Sequence, residues 1–333
     1  MPALEGRGRT YTPPLRVLLV GAGAVGQVYG YHLQKGGAQV AFFVRPKHRA
    51  EAEGELRLYY MRGKHGRELH TWRADEVITD PTLAATRGFD QIWLCISTAA
   101  LERSLESQDE LATLLALTAG TTVVSMGPGL HLKQLLAPYV PERRRVDGGI
   151  TMVSYQAPLV DGEVDAPGIA AYLPGPSPFT GPEAQRVVDA LKRGGAPAKV
   201  HSNTGALMAF GSATLMPTMA ALEGAGWKLA GMRKGPWARL AAEASAEARA
   251  IVAAQVHASP PFGTAFVTAP VLKLATWAAP KVAPFEVEIY LKYHFTKVRD
   301  QTERLLTRYV DEGEALGLPH GALSELRAKV FGA

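Results

Sequence analysis

The run Leu15-Arg-Val-Leu-Leu-Val20 leads directly into Gly21-Ala-Gly-Ala-Val-Gly26, and this junction constrains the fold more than any other stretch of the 333 residues. A near-continuous apolar run with β-branched residues, closed by glycine, is the pattern of a strand buried on both faces. Gln27 to Lys35 can continue as a helix, Gly36-Gly37 ends it, and Gln39 to Val44 supplies a second short apolar strand. Strand, glycine turn, helix and strand in that order make a βαβ unit, which requires a parallel sheet.

The glycine spacing gains meaning from this context. Gly21 permits the tight turn, Gly23 lets backbone approach a pyrophosphate, and Gly26 allows close packing of helix on strand. Phosphates would then meet the free N–H groups of Ala24, Val25 and Gly26 at the positive end of the helix dipole. The spacing predicts a dinucleotide site. Its preference is read at the end of the second strand, where NAD-binding domains usually carry Asp or Glu for the ribose hydroxyls. This chain has Phe42-Phe-Val-Arg45 there, with no carboxylate before Glu51. Arg45 offers a planar fork for a 2′-phosphate, Lys47, His48 and Arg49 add positive potential, and the expected cofactor is NADP(H). Ser97 and Thr98, just after the apolar run Gln91 to Ile96, are taken as further cofactor contacts.

The strand–helix alternation continues through Gln91–Ile96, Thr98–Leu117, Thr121–Ser125, Val146–Val153, Ile169–Leu173, Pro182–Lys192 and Ala198–His201. Beyond Asn203 strand-like runs vanish, and alanine- and leucine-rich segments take over at Thr204–Leu222, Pro236–His257, Phe285–Leu316 and Gly321–Val330. The predicted class is α/β: a flexible tail at 1–12, a Rossmann domain with a parallel sheet at 13–202, and an all-α domain at 203–333.

Composition narrows the function classes. With 47% hydrophobic and 20% charged residues the chain can bury two cores. A net charge of +5 comes from bases interleaved with acids; Arg45–Arg49 and Arg143–Arg145 are the dense spots, too small for a nucleic-acid stripe. One cysteine, Cys95, excludes an internal disulfide and reads as inert core; with a polar, arginine-bearing Met1–Pro14, the expected location is cytoplasmic. Thr204 to Leu222 is uncharged and long enough for a bilayer, but its glycines, proline and hydroxyls suit a buried central helix better. No HExxH, CxxC or GxSxG pattern supports a zinc hydrolase or serine triad, and no metal site is expected. His65, His70 and His131 are scattered in expected loops, while His201 falls at the domain junction.

Gly21-Ala-Gly-Ala-Val-Gly26 with Arg45 at that interval, the helical second half and the ending Gly313-Glu-Ala-Leu-Gly-Leu-Pro319 resemble the ketopantoate reductases over most of the chain. That resemblance implies NADPH-dependent reduction of a 2-keto acid in a cleft between the two domains. The family's catalytic set departs. Its lysine after the fourth-strand region is missing from Ile96-Ser-Thr-Ala-Ala100, and Met126 replaces an asparagine in Ser125-Met-Gly-Pro-Gly129. With Pro217 marking the family proline, the three polar positions of the opening helix become Met208, Ser212 and Met216, and the late acidic residue becomes Gln301. Methionines supply neither a proton nor charge to a developing alkoxide, so ketopantoate itself is not the expected substrate. Met208, Ser212 and Gln301 are expected to line the substrate space instead.

Replacement chemistry is sought on the predicted helix Phe285–Leu316. His294, Lys297 and Gln301 stand at i, i+3 and i+7 on one face, with Asp300 beside them. Lys297 or His294 is the candidate general acid, Asp300 its neighbour, and Tyr290 and Tyr293 are further donors. The expected activity is hydride transfer to or from a carbonyl or imine other than ketopantoate. A rival reading is an inactive NADP(H)-binding regulator or partner-binding subunit. A third is a membrane-associated protein, through Thr204–Leu222 and the apolar run Phe262–Phe285. A homodimer through apolar helical surface is also expected.

Overall fold

The computed structural model describes residues 13–63, 66–118, 120–127 and 131–332. The expected tail 1–12, His65 and the Pro128-Gly129 end of the second glycine turn lie outside these residues.

The predicted βαβ unit forms as β1 (Arg16–Val20), α1 (Ala24–Lys35) and β2 (Gln39–Phe43), followed by α2 (Arg49–Glu53). Next come β3 (Leu56–Arg62), β4 (Gly66–Trp72), β5 (Glu76–Ile78), α3 (Pro81–Thr86) and β6 (Gln91–Leu94). The long helix expected after β6 is two, α4 (Thr98–Ser107) and α5 (Glu110–Leu117), because Gln108 turns left-handed (φ 54°) and Asp109 caps the second. Then follow β7 (Thr122–Ser125), α6 (His131–Leu136), β8 (Arg145–Gly148), β9 (Val153–Ala157), β10 (Gly168–Tyr172), β11 (Ser177–Thr180), α7 (Ala184–Arg193) and β12 (Ala198–Val200).

Eight strands make the main sheet in the order β12-β11-β8-β7-β6-β1-β2-β5, and all neighbours are parallel except β11 against β8. Its central strands are buried throughout, as their uninterrupted apolar character requires. One face packs on α1 and α7 around Trp93, Phe42 and Phe179, and the other on α3, α4 and α5 around Leu94, Leu101 and Leu114. A second sheet, β4-β3-β10-β9, was not foreseen, and it moves His70 from an expected loop into a strand. Both faces of β3 are at least half covered, so its sequence shows no clean period of two.

Asn203 caps α8 (Thr204–Gly224) by accepting from Ala206 N at 2.9 Å, and strands end there. The remaining helices are α9 (Leu229–Arg233), α10 (Trp237–Val256), α11 (Ala269–Val282), α12 (Val287–Lys297), α13 (Arg299–Leu316) and α14 (Gly321–Phe331). Helix α8 packs chiefly on α10, burying Phe210, Met219, Leu222, Leu240 and Ile251. Each large side chain so buried is worth about 1.5–3 kcal/mol. Among the described residues α8 alone is long and apolar enough to cross a membrane, and half of that window is buried inside the protein.

The segment Phe285–Leu316 corrects an expectation. It is two helices, broken at Val298, because Arg299 is tied to Glu223 of α8 (2.5 Å) and to the Val330 carbonyl of α14 (3.1 Å). His294 and Lys297 therefore sit on a different helix from Asp300 and Gln301, and no single face joins them.

Candidate functional site

The glycine loop has the geometry its spacing implies. Gly21 is left-handed (φ 98°), its N–H donates to Phe43 O at 3.0 Å, and a β-carbon there would meet Ile96 at 2.8 Å. A β-carbon at Gly26 would lie 2.1 Å from the Gly21 carbonyl oxygen, so this glycine is demanded by helix–strand approach. At Gly23 a β-carbon would meet nothing within 4 Å. Gly23 is the N-cap of α1, with no side chain capping the helix and no acid in its first turn. The N–H groups of the first turn thus face open space at the positive helix end, which is the requirement of a phosphate cradle. Gln27, buried beneath, donates to Ala22 O at 2.8 Å and holds the loop shut from behind.

A cavity of about 440 Å³ opens beside this loop, lined by Gly21, Gly23, Arg45, His48, Ala100 and Arg103 among others. Arg45 follows β2 directly, is exposed, and makes no ion pair among the described residues. Arg49, by contrast, is occupied with Glu53 at 2.7 Å. Carboxylates also reach the rim at Glu51, Asp109 and Glu110, of which Asp109 is engaged with Ser104 Oγ and Leu111 N. Arg103 was missed by sequence reasoning; its signal is the stripe Ala100, Arg103, Ser104, Ser107 along α4, all of which face the cavity. Ala24, Val25 and Gly26 form the helix turn behind the lining, and Ser97 caps α4 by accepting from Ala100 N. Thr98 turns the other way. Its hydroxyl is buried without a partner among the described residues, and the residue lines the neighbouring cleft.

That cleft, about 790 Å³, runs between α4 and α6 on one side and α8, α10 and α13 on the other. Ser212, Met216, Asp300 and Gln301 line it, as do Arg304 and Arg308. Met208 stands in an adjoining crevice against Gly149, and Met126 is core, packed on Gly148 and Phe179's neighbourhood rather than on the cleft. His294 and Lys297 are not among its lining residues. His294 is stacked on Tyr290 at 5.6 Å and edge-on to Phe295, and burial, with Lys297 second, pulls its pKa below the ordinary imidazole value. Tyr290 is buried beside Tyr155 and Phe285, its hydroxyl pushed up to about 12 by burial, and Tyr293 is exposed. Cys95 is inert, since burial raises its thiol to about 12. His201 accepts from Asn203 N at 3.0 Å, outside the cleft lining.

Lys133 was not foreseen. It lies on α6 and lines both the cleft and the crevice beside Met208. Its ammonium is 3.6 Å from Asp147, whose carboxylate also accepts from Ser125 Oγ at 3.2 Å and stands 3.2 Å from Arg145 Nε. A lysine held by a carboxylate at the ends of β7 and β8 puts a cationic proton donor on the cleft wall. Two of the three arginines at 143–145 are structural: Arg144 donates to Thr118 O and Thr121 O, and Arg145 is buried beside Asp147. Among the described residues no group of His, Cys, Asp and Glu is arranged for a metal.

Residues 17–168 match the family described as ketopantoate reductase PanE/ApbA. No curated protein matches. Solved structures with the same fold include a ternary complex of D-mandelate dehydrogenase with NADH and anilino(oxo)acetate, 14% identical over 95% of this chain and 97% of that one, TM-score 0.70. The 2-dehydropantoate 2-reductase of Geobacter metallireducens GS-15 is 17% identical over 95% and 99%, TM-score 0.68. A PanE/ApbA family ketopantoate reductase of Ralstonia eutropha JMP134 is 20% identical over 95% and 97%, TM-score 0.64.

Proposed function

We propose, from the premise that this chain is a divergent member of the ketopantoate reductase family through its residues 17–168, that it is an NADP(H)-dependent oxidoreductase. Its substrate is a carbonyl or imine compound other than ketopantoate, taken into the cleft between the Rossmann sheet and the helices. The observation that carries the reading is the open, uncapped α1 N-terminus at Gly23 with Arg45 directly after β2. A D-mandelate dehydrogenase of the same fold is seen with NADH, which supports a nicotinamide cofactor, and Arg45 in place of an acid turns the preference toward a 2′-phosphate.

The pyrophosphate would be held by the first-turn N–H groups from Ala24 to Gly26, and the 2′-phosphate by Arg45 with His48 and Arg103 at the rim. Bound there, the nicotinamide supplies or accepts hydride. Lys133 is the proton donor of this reading: its N–H gives a proton to the substrate oxygen or nitrogen, and Asp147 holds the side chain at the cleft. Arg304 and Arg308, one helical turn apart on α13, offer positive charge to an acidic substituent, while Met216, Val252 and Leu305 provide an apolar wall.

The second reading, a nicotinamide-binding protein without turnover, is favoured by one observation, the methionines at 208 and 216. A panel of 2-keto acids, aldehydes and cyclic imines incubated with NADPH separates the two. Oxidation of NADPH with any of them supports the enzyme; tight cofactor binding with no turnover across the panel supports the binder.

A further inference from the structure

From Ala258 to Phe285 the chain carries no carboxylate, and its only formal charges are Lys273 and Lys281. The same stretch holds six of the fifteen large apolar side chains left exposed among the described residues. Phe262 is 99% exposed and Val282 79%, with Phe266, Val271, Leu274 and Trp277 also exposed. Not one of the fourteen residues of α11 is buried. Scattered exposed apolar residues need no explanation, but a continuous face of them on one short segment does.

The surroundings of this face are basic. Arg233 of α9 donates to the Thr276 carbonyl at 3.0 Å and so fixes the cationic end of α9, with exposed Lys234, against α11. Lys281 Nζ lies 3.1 Å from the centre of the Trp277 ring. Glu288, which reaches α9, is paired with Lys228 at 3.0 Å and accepts from Leu229 N. An aromatic and aliphatic surface that carries Lys273 and Lys281 and meets Arg233 and Lys234 at α9, with an ammonium resting on an indole, is complementary to one partner chemistry, acyl chains under anionic headgroups.

A second copy of the chain fits less well. A two-fold contact sets a surface against itself, so the lysines of one copy would face a segment of the other that also bears lysines and no carboxylate. Spanning is excluded by length, since fourteen helical residues reach about 21 Å against a hydrocarbon core of about 30 Å.

We propose that Phe262–Phe266, α11 and the Arg233–Lys234 end of α9 form a docking face for an anionic bilayer surface. The apolar side chains enter the boundary between headgroups and acyl chains, and the lysines and arginine pair with lipid phosphates. The proposal is independent of the cofactor reading, because neither the loop cavity nor the cleft is lined by any residue of this face.

The test uses the full chain and vesicles of phosphatidylcholine alone or with a minority of phosphatidylglycerol. Co-sedimentation with the phosphatidylglycerol vesicles, weakened by salt and absent on phosphatidylcholine alone, is expected. The double variant K273Q/K281Q should weaken it by roughly fivefold per charge removed. The double variant L274S/W277S should abolish it. Both change exposed positions, so unaltered melting shows that the fold is intact. Failure to bind phosphatidylglycerol vesicles, or binding that neither salt nor either variant alters, overturns the proposal. So does a dimer, seen by light scattering, that L274S/W277S dissociates while vesicles leave the protein in solution; the face would then be a contact between copies.

Discussion

Lys133 Nζ and the Asp147 carboxylate stand 3.6 Å apart in the crevice they share with Met208, beside the cleft that Lys133 also lines. The pair joins α6 to β8 and puts a cationic donor beside the opening helix of the second half, with Lys133 Cε within reach of Gly205. Once a substrate is identified, Lys133→Met should lower kcat by about 10²–10⁴, the usual worth of a positioned general acid. Lys133→Arg keeps the charge but does not give up a proton, so it should stay near the methionine variant. Cofactor affinity should be unchanged in both. Single-turnover kinetics with calorimetry would check this, and a kcat retained in Lys133→Met removes the lysine from the mechanism.

Two glycines of one loop should respond in opposite ways. Gly23→Ala meets no atom within 4 Å and should melt like the parent protein, yet its methyl group fills the space through which a phosphate reaches the helix end. Gly26→Ala collides with the Gly21 carbonyl and should cost about 1–3 kcal/mol of stability as well as cofactor binding. Thermal melts and NADPH titrations of the two proteins are sufficient. A Gly23→Ala protein that binds NADPH as well as the parent contradicts the cradle.

Acid should destabilise the fold through His32. This imidazole is buried, its Nδ1 donates to Gly194 O at 2.8 Å, and its Nε2 accepts from the Tyr60 hydroxyl at 2.5 Å. Burial, foremost, lowers its pKa from 6.5, and protonation would also cost Tyr60 its acceptor. Above about pH 6.5 the ring is neutral in both folded and unfolded chains. Below it the unfolded chain takes up the proton first, so stability falls with pH until the folded value is passed and then levels off. His294 is shifted the same way. His32→Gln, which can keep both hydrogen bonds, should flatten the loss of Tm between about pH 7.5 and 5. An unchanged slope would mean that other groups set the acid response.

Much of this architecture is written in local pattern. Leu15–Val20, the three glycines and Arg45 lie within about thirty residues, and their spacing alone specifies strand, turn, helix and strand. The change of texture at Asn203 likewise marks the last strand and the first long helix. What was not legible depends on partners far along the chain. β3 pairs with β10, more than a hundred residues away, and with both faces covered it carries no alternation to read. Nothing local announces the break at Val298, which follows from Arg299 reaching Glu223 and Val330. The stripe proposed across His294, Lys297 and Gln301 therefore assumed a helix that tertiary contacts interrupt. Lys133 was overlooked because its meaning comes from Asp147 and Met208, neither of which is its neighbour in sequence.

In the proposed function, the loop at Gly21–Gly26 and Arg45 hold NADP(H). Isothermal titration of the purified full chain with NADPH and with NADH tests it most directly, alongside Arg45→Ala. Tight NADPH binding and weak NADH binding are expected. Arg45→Ala should lose roughly 10- to 100-fold for NADPH, the worth of a charge-assisted contact to phosphate, with NADH nearly unaffected. Equal losses for the two cofactors would contradict the preference, and binding of neither would contradict the site itself.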